Sequence, residues 1–132
     1  FAVSYRQVDI PPGHWFTAGV FRLSQGRGDE GANVRSLLEK RSETQPVRQS
    51  SAGSVFRNPP NDYAARLIEI SGLKGLRIGG AQVSMQHANF IVNDRQACAK
   101  DIETLIEKVQ TTVADHTGIR LQPEVRFVGE HQ

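Results

Sequence analysis

Ser54 stands in a short run, Ser51-Ala52-Gly53-Ser54-Val55-Phe56-Arg57-Asn58-Pro59-Pro60, that sets a hydroxyl, a cation and an amide close together between a glycine and two prolines. Such a set is site chemistry. A hydroxyl can donate or accept a hydrogen bond, a guanidinium pairs with anions, and a carboxamide both donates and accepts. A carboxylate arrives much later, in Leu121-Gln122-Pro123-Glu124-Val125-Arg126-Phe127-Val128-Gly129, a strand-like run. If the two runs pack side by side, the acid of Glu124 and the hydroxyl of Ser54 can meet. From spacing alone, Ser54 also reads as a turn-capping hydroxyl and Glu124 as a surface carboxylate on an edge strand.

Several elements must hold these residues in place. Asn33 can cap a helix through Val34, Leu37 and Leu38, which ends before Pro46. A second helix starts from Asn61 or Asp62, carries Ala64, Ala65, Leu67, Ile68 and Ile70, and stops at Gly72. Residues 72–84 are too rich in glycine for a helix and read as turns leading into short extended pieces. The run Ala88-Asn89-Phe90-Ile91-Val92-Asn93 is an apolar, branched strand. Asp94 is the cap candidate for a long amphipathic helix with Ala97, Ile102, Leu105, Ile106, Val109 and Val113 on its apolar face and Gly118 at its end. Residues 119–129 are expected to form the last strand. From Ser51 the order is strand, helix, strand, helix, strand: an α+β (α/β-like) fold, a small sheet with helices packed on one face.

Upstream, the runs 1–6 and 15–23 are strand-like and lack partners of their own, and the Gly-rich residues 24–31 read as a loop, because no strand-glycine-helix order of a phosphate cradle surrounds them. The chain is long enough for one sizeable core but hardly two, with 132 residues of which 38% are hydrophobic. No apolar run is long enough to span a bilayer and no leader pattern is present, so membrane insertion and secretion are not expected. A net charge of +2 comes from interspersed cations and carboxylates without an aromatic platform, which argues against a nucleic-acid binder. The single cysteine, Cys98, has no internal disulfide partner, fits a reducing cytoplasm and is expected as a buried thiol in a helix. No second histidine stands at metal-ligand spacing from His87, and no metal site is expected.

Four segments in order, Ser51-Ala52-Gly53-Ser54, Gly72-Leu73-Lys74-Gly75 with Gly79-Gly80-Ala81, the run 87–93, and Pro123-Glu124-Val125, resemble the C-terminal part of the UDP-N-acetylenolpyruvoylglucosamine reductases. The resemblance covers nearly all of residues 51–129. It matches the shorter architectural type, because no tyrosine-bearing loop is inserted between Pro60 and Tyr63. It implies residues 1–24 as the tail of a flavin-binding domain, 25–50 as a linker with a short helix, and 51–132 as a substrate-binding domain. The chain, which begins without methionine, is then expected to be a fragment of a larger FAD-containing enzyme whose pyrophosphate loop and catalytic arginine lie upstream.

The resemblance further implies a cytoplasmic flavoprotein oxidoreductase of peptidoglycan synthesis, serving cell wall biogenesis, cell shape and cell division. Its cofactor is FAD and its co-substrate NADPH, and it reduces UDP-N-acetylglucosamine enolpyruvate to UDP-N-acetylmuramate. Hydride addition to the enolpyruvyl β carbon leaves negative charge that must be stabilised and protonated. Ser54 resembles the proton donor and Glu124 the carboxyl that helps stabilise the developing enol, a role asking for a shared proton or a neighbouring cation. Gly53 allows close approach of substrate and flavin, Arg57 is suited to the diphosphate, Asn58 to sugar-linked polar groups, and His87 and Tyr5 fall at substrate-lining positions. Ser42 departs from the pattern, standing where relatives often carry a lysine. The alternative is a small α/β ligand-binding module without redox chemistry.

Overall fold

The computed structural model describes residues 1–25 and 30–129, with backbone alone for 30–32. The chain divides into two compact units, Phe1–Arg35 and Ser36–Gln132.

In the first unit, β1 (Ala2–Ser4) and β2 (Gln7–Asp9) form an antiparallel hairpin in the register Ala2↔Asp9, Val3↔Val8, Ser4↔Gln7. The run 1–6 is therefore not an orphaned edge: residues 7–9 supply its partner across a two-residue turn in which Arg6 takes a φ of 58°. Two-residue hairpin turns favour left-handed residues because their twist matches that of the strands. The strand-like run 15–23 forms no strand, and Trp15 and Phe21 are 82% and 84% exposed. A strand needs another chain segment for its amides, and among the described residues this run pairs with none.

Helix α1 (Glu30–Thr44) begins ahead of Asn33, which lies inside its first turns instead of capping it. Of the Gly-rich loop expected at 24–31, residues 26–29 lie outside the described residues, and 30 and 31 belong to α1 instead. The helix stops before Pro46 as expected. Its last turn is closed from outside: Gln86 Nε2 donates to the carbonyls of Ser42 and Glu43, both at 2.8 Å, which would otherwise be left without partners.

The second unit contains β3 (Ser51–Ser54), α2 (Ala64–Ile70), β4 (Arg77–Ile78), β5 (Ala81–Val83), β6 (Phe90–Asn93) and α3 (Ala99–Thr117). The strands form one antiparallel sheet in the order β3-β6-β5-β4, so the fold is α+β: short connections join β4 to β5 and β5 to β6, and the segment carrying α2 leads from β3 to β4 at the opposite edge. Helix α3 packs on β4 and β5, and α2 packs on α3. Their apolar faces supply the core: Leu105, Ile106, Val109 and Val113 from α3, Ala64, Leu67 and Ile68 from α2, and Ala81, Val83 and Ile91 from the sheet.

The helix starts differ from the expected caps. Tyr63 is the N-cap of α2 and has no side-chain cap bond; the Asn58 side-chain oxygen accepts the Ala64 N–H at 3.0 Å instead. Asp62 accepts the Tyr63 N–H at 2.7 Å and pairs with Arg66, whose guanidinium holds the carboxyl down at about 2. Gly72, with φ 70°, follows the end of α2 as expected. Cys98, not Asp94, caps α3, forming a capping box with Asp101. Asp94 is drawn instead into an ion pair with Arg77 at 2.6 Å. The Cys98 thiol is exposed, contrary to the buried thiol expected, because the cap position lies at the rim of the helix.

Asp101 also explains the Gly79-Gly80 pair. Its Oδ2 accepts the Gly80 N–H at 3.2 Å and the Cys98 N–H at 3.1 Å, bonds that hold its carboxyl below the ordinary range. A Cβ on Gly79 would strike the Asp101 carboxylate, and one on Gly80 would strike the Ala97 backbone nitrogen. Gly118, at φ 73°, ends α3 in the left-handed conformation that a C-terminal cap requires.

The expected last strand at 119–129 is reduced to a single antiparallel bridge, Phe56↔Pro123. Proline fits there because the bonds lie on either side of it, from Arg57 N–H to the Gln122 carbonyl and from Glu124 N–H to the Val55 carbonyl, at 2.9 and 2.7 Å. Pairing with the last segment does not extend beyond these bonds; on its other edge β3 shifts register against β6 between Ser51 and Ser54, where Gly53 takes a φ of 81°.

Candidate active site

Ser54 ends β3, opposite Phe90 at the start of β6. Gly53 before it has a φ of 81°, and a Cβ built there would meet nothing within 4 Å, so the residue is needed for its backbone conformation and leaves open space beside Ser54. Ser54 is half-buried, and its hydroxyl makes no hydrogen bond among the described residues.

The backbone that follows is fastened on both sides. On one side the Val55 N–H donates to the Asn89 carbonyl at 2.9 Å, and the Phe56 N–H donates to the Asn89 side-chain oxygen at 3.0 Å. The Asn89 side-chain nitrogen returns a bond to the Phe56 carbonyl at 2.9 Å. On the other side stand the two bonds to Gln122 and Glu124. This double attachment brings the backbone of Glu124 to the residue next to Ser54. The two sequence runs, far apart in the chain, therefore meet as expected, through a backbone bridge.

Arg57 leaves this junction half-buried, with its Nε buried and without a hydrogen-bond partner among the described residues. A buried N–H of a guanidinium is costly unless something accepts from it, which makes Arg57 a fit for an anion. Asn58 is divided between roles, since its side-chain oxygen is committed to the first amide of α2. Val55, but not Ser54, Arg57 or Glu124, lines a largely apolar cavity of about 520 Å³ between β3, β6, α3 and residues 125–128. The polar groups thus gather outside that cavity, and the cavity is not the place where they would act.

His87 lies in the turn leading into β6. Its ring meets the Phe90 ring edge-on at 4.9 Å between centroids, which sets it beside the strand residue opposite Ser54. The Asn89 N–H donates to His87 Nδ1 at 3.2 Å, leaving Nε2 to carry the proton of the neutral ring. Burial pushes the His87 pKa down from 6.5; nearby Lys74 pushes the same way, against Glu69 and a backbone hydrogen bond. The ring is therefore a neutral donor near pH 7. The turn itself is held by Ser84 Oγ, which accepts the N–H groups of Gln86 and His87 at 3.1 and 3.3 Å.

Tyr5 belongs to the other unit, Phe1–Arg35, where it sits in the hairpin turn, 61% exposed, with the Arg6 guanidinium 5.9 Å from its ring centre. The backbones of residues 54–57 and 122–124 meet at one end of the β3–β6 pair, and His87 stands in the turn leading into β6, its ring against Phe90. Asn89, which joins them, was not among the residues singled out from the sequence. The signal available was an amide inside an otherwise apolar strand-like run. Among the described residues, no helix is long and apolar enough to cross a membrane.

Comparison with known proteins identifies the family. Residues 45–128 match the family described as UDP-N-acetylenolpyruvoylglucosamine reductase, C-terminal domain. The UDP-N-acetylenolpyruvoylglucosamine reductase of Methylococcus capsulatus is 57% identical over 133 aligned residues, covering 100% of this chain and 44% of the relative. That of Alkalilimnicola ehrlichii is 55% identical, covering 100% of this chain and 45% of the relative. The crystal structure of UDP-N-acetylenolpyruvylglucosamine reductase from Thermus caldophilus superimposes with a TM-score of 0.64 at 40% identity, over 77% of this chain and 36% of that one. The chain spans less than half the length of the curated relatives it matches. It belongs to the UDP-N-acetylenolpyruvoylglucosamine reductase family and carries that family's C-terminal domain.

Proposed function

We propose that this chain is the substrate-anchoring and proton-donating part of an NADPH- and FAD-dependent reductase that converts UDP-N-acetylglucosamine enolpyruvate to UDP-N-acetylmuramate. Residues 1–24 act as the tail of a flavin-binding domain, 25–50 as a linker and 51–132 as the substrate domain, working in the cytoplasm. The observation that carries this reading is the junction at residues 54–57: a serine hydroxyl beside an open glycine and an arginine with a buried Nε, neither of them hydrogen-bonded among the described residues, on a backbone tied to Glu124.

Bound flavin would supply the hydride for the enolpyruvyl β carbon. The residues of this chain serve the other half of the reduction. Gly53 leaves room for the reacting groups to approach Ser54. The Ser54 hydroxyl gives its proton to the carbon next to the one that receives hydride, so the double bond becomes a saturated C–C bond with one hydrogen added at each end. A serine is a weak acid in water, but a strongly basic enolate needs only a proton held in line. Glu124 assists at the developing enol, Arg57 receives the diphosphate, Asn58 meets the sugar, and the Nε2–H of His87 and the hydroxyl of Tyr5 offer hydrogen bonds to substrate oxygens.

In the complete protein, Ser54→Ala is expected to leave flavin reduction by NADPH nearly unchanged. It should slow reoxidation by the enolpyruvyl substrate by roughly 10²–10⁴-fold. Rapid-mixing absorbance of the two half-reactions decides it, and equal slowing of both rejects the proton-donor role.

A further inference from the structure

We infer that Asn89 is a positioning residue for the reductive site, holding the peptide units between Ser54 and Arg57 in the geometry that proton delivery and anion binding need. The inference rests on the role proposed for Ser54. Asn89 is only 5% exposed, among Phe56 and Phe90, where an apolar side chain would be ordinary. A carboxamide is kept there with both ends used: the side-chain oxygen accepts from Phe56 N–H at 3.0 Å, and the nitrogen donates to the Phe56 carbonyl at 2.9 Å.

These two bonds occupy the place of a strand. The β3–β6 pairing, shifted in register between Ser51 and Ser54, reaches Ser54↔Phe90, after which the chain before β6 turns away through His87 and can present little further backbone. The Asn89 main-chain carbonyl takes the Val55 N–H, and its side chain then reaches one residue beyond to satisfy both polar groups of Phe56. On the far edge, Gln122 and Glu124 hold Arg57 and Val55. From Val55 N–H to Arg57 N–H every peptide group has a partner, and Asn89 supplies three of those bonds.

Asn89 touches the other candidate groups as well. Its own N–H is donated to His87 Nδ1 at 3.2 Å, which fixes the tautomer of that ring. One residue thus sets the backbone carrying Ser54 and Arg57 and the orientation of His87. A displacement of about 1 Å at a reacting group can cost about 10²-fold in rate, so a small error here has a large consequence.

The test uses the complete enzyme with Asn89→Asp, which keeps the size and the acceptor but loses the donor to Phe56 and sets a negative charge against its carbonyl. Reoxidation by the enolpyruvyl substrate is expected to slow by about 10–100-fold, with flavin reduction by NADPH changed by less than about twofold. A loss of melting temperature with both half-reactions slowed alike, or no slowing of reoxidation, overturns the inference. Ser54→Ala run alongside separates the two readings. If it reoxidises normally, the proton-donor role and this inference fall together. If it is slow while Asn89→Asp is normal, only the positioning inference falls. Should Asn89→Asp not fold, hydrogen exchange on the unaltered enzyme remains decisive: the Phe56 amide and the Asn89 carboxamide protons are expected to exchange at least about 10²-fold more slowly than free groups, and rapid exchange of either overturns the inference.

Discussion

The β1–β2 hairpin and the β5–β6 pair are antiparallel ladders of three residue pairs each, yet every residue of the first is exposed while the second is almost wholly buried. Pairing is the same in both. The difference lies in what covers the face: α3 packs its Leu105 and Ile106 turn against the larger sheet, whereas Val3 and Val8 of the hairpin stay 68% and 43% exposed. Hydrogen bonds set the register of a small sheet, and the apolar cover gives it its stability, because each exchanged hydrogen bond contributes little net free energy.

The largest effect should come from removing that cover. Leu105 is fully buried, and Leu105→Ala is expected to cost about 2–5 kcal/mol through lost contact and the cavity left behind. Val3→Ala in the hairpin should stay within about 0.5 kcal/mol. Denaturant titration of both variants is the measurement, and equal losses would mean that the hairpin is as well covered as the sheet.

A second contrast concerns how α3 reaches the sheet. Gly80 is buried where α3 begins, and an added methyl would press on backbone atoms of Arg95 and Ala97. Those atoms have nowhere to go, so Gly80→Ala should destabilise by about 3 kcal/mol, the upper end of overpacking. Gly53 has open space instead, and its alanine variant meets only the strain of a left-handed backbone, about 1–2 kcal/mol. The order of the two melting temperatures checks this. A Gly53→Ala variant less stable than Gly80→Ala would show that conformation, and not space, limits both sites.

The parts legible in the sequence were those decided locally. Helix α3 announced itself through the spacing from Ile102 to Val113 and the stop at Gly118. The glycines between α2 and β5 marked their turns correctly. The helix starts were misread for a physical reason: several Asn and Asp residues stood near each start, and tertiary contacts chose among them. Asp94 went to Arg77, while Asp101 bound Gly80 and Cys98 together. The last strand failed because strand character at 119–129 needs a partner along its length, and this segment pairs only through the single bridge Phe56↔Pro123.

The runs that carry Ser54 and Glu124 do meet, through the backbone of Val55, but the way they are held was not legible. Nothing in the local sequence tells that Asn89 spends its side chain on Phe56, thirty-three residues earlier, or that Asn58 gives its oxygen to α2. Side-chain bonds to distant backbone leave no periodicity behind.

The smallest effect expected is a pH dependence at the turn that leads into the covered strand β6. His87 is half-buried, and desolvation lowers its pKa from 6.5, with Lys74 adding to the shift and Glu69 opposing it. The unfolded chain therefore binds more protons than the folded one between the lowered value and 6.5, so stability rises with pH across that window. Above 6.5 the neutral ring contributes in full; as the pH falls the contribution is lost, and below the folded value the loss levels off. His87→Asn keeps an oxygen able to accept the Asn89 N–H but has nothing to titrate, so its stability curve should lack this slope. Denaturant unfolding of both proteins at about pH 7.5 and about pH 5 gives the comparison free of the other histidines, which cancel in the difference. The gap between the two proteins should change in favour of the variant on acidification. Parallel behaviour at the two pH values would mean that the ring is as well solvated as the exposed hairpin, and that the cover over this end of the sheet does not extend to His87.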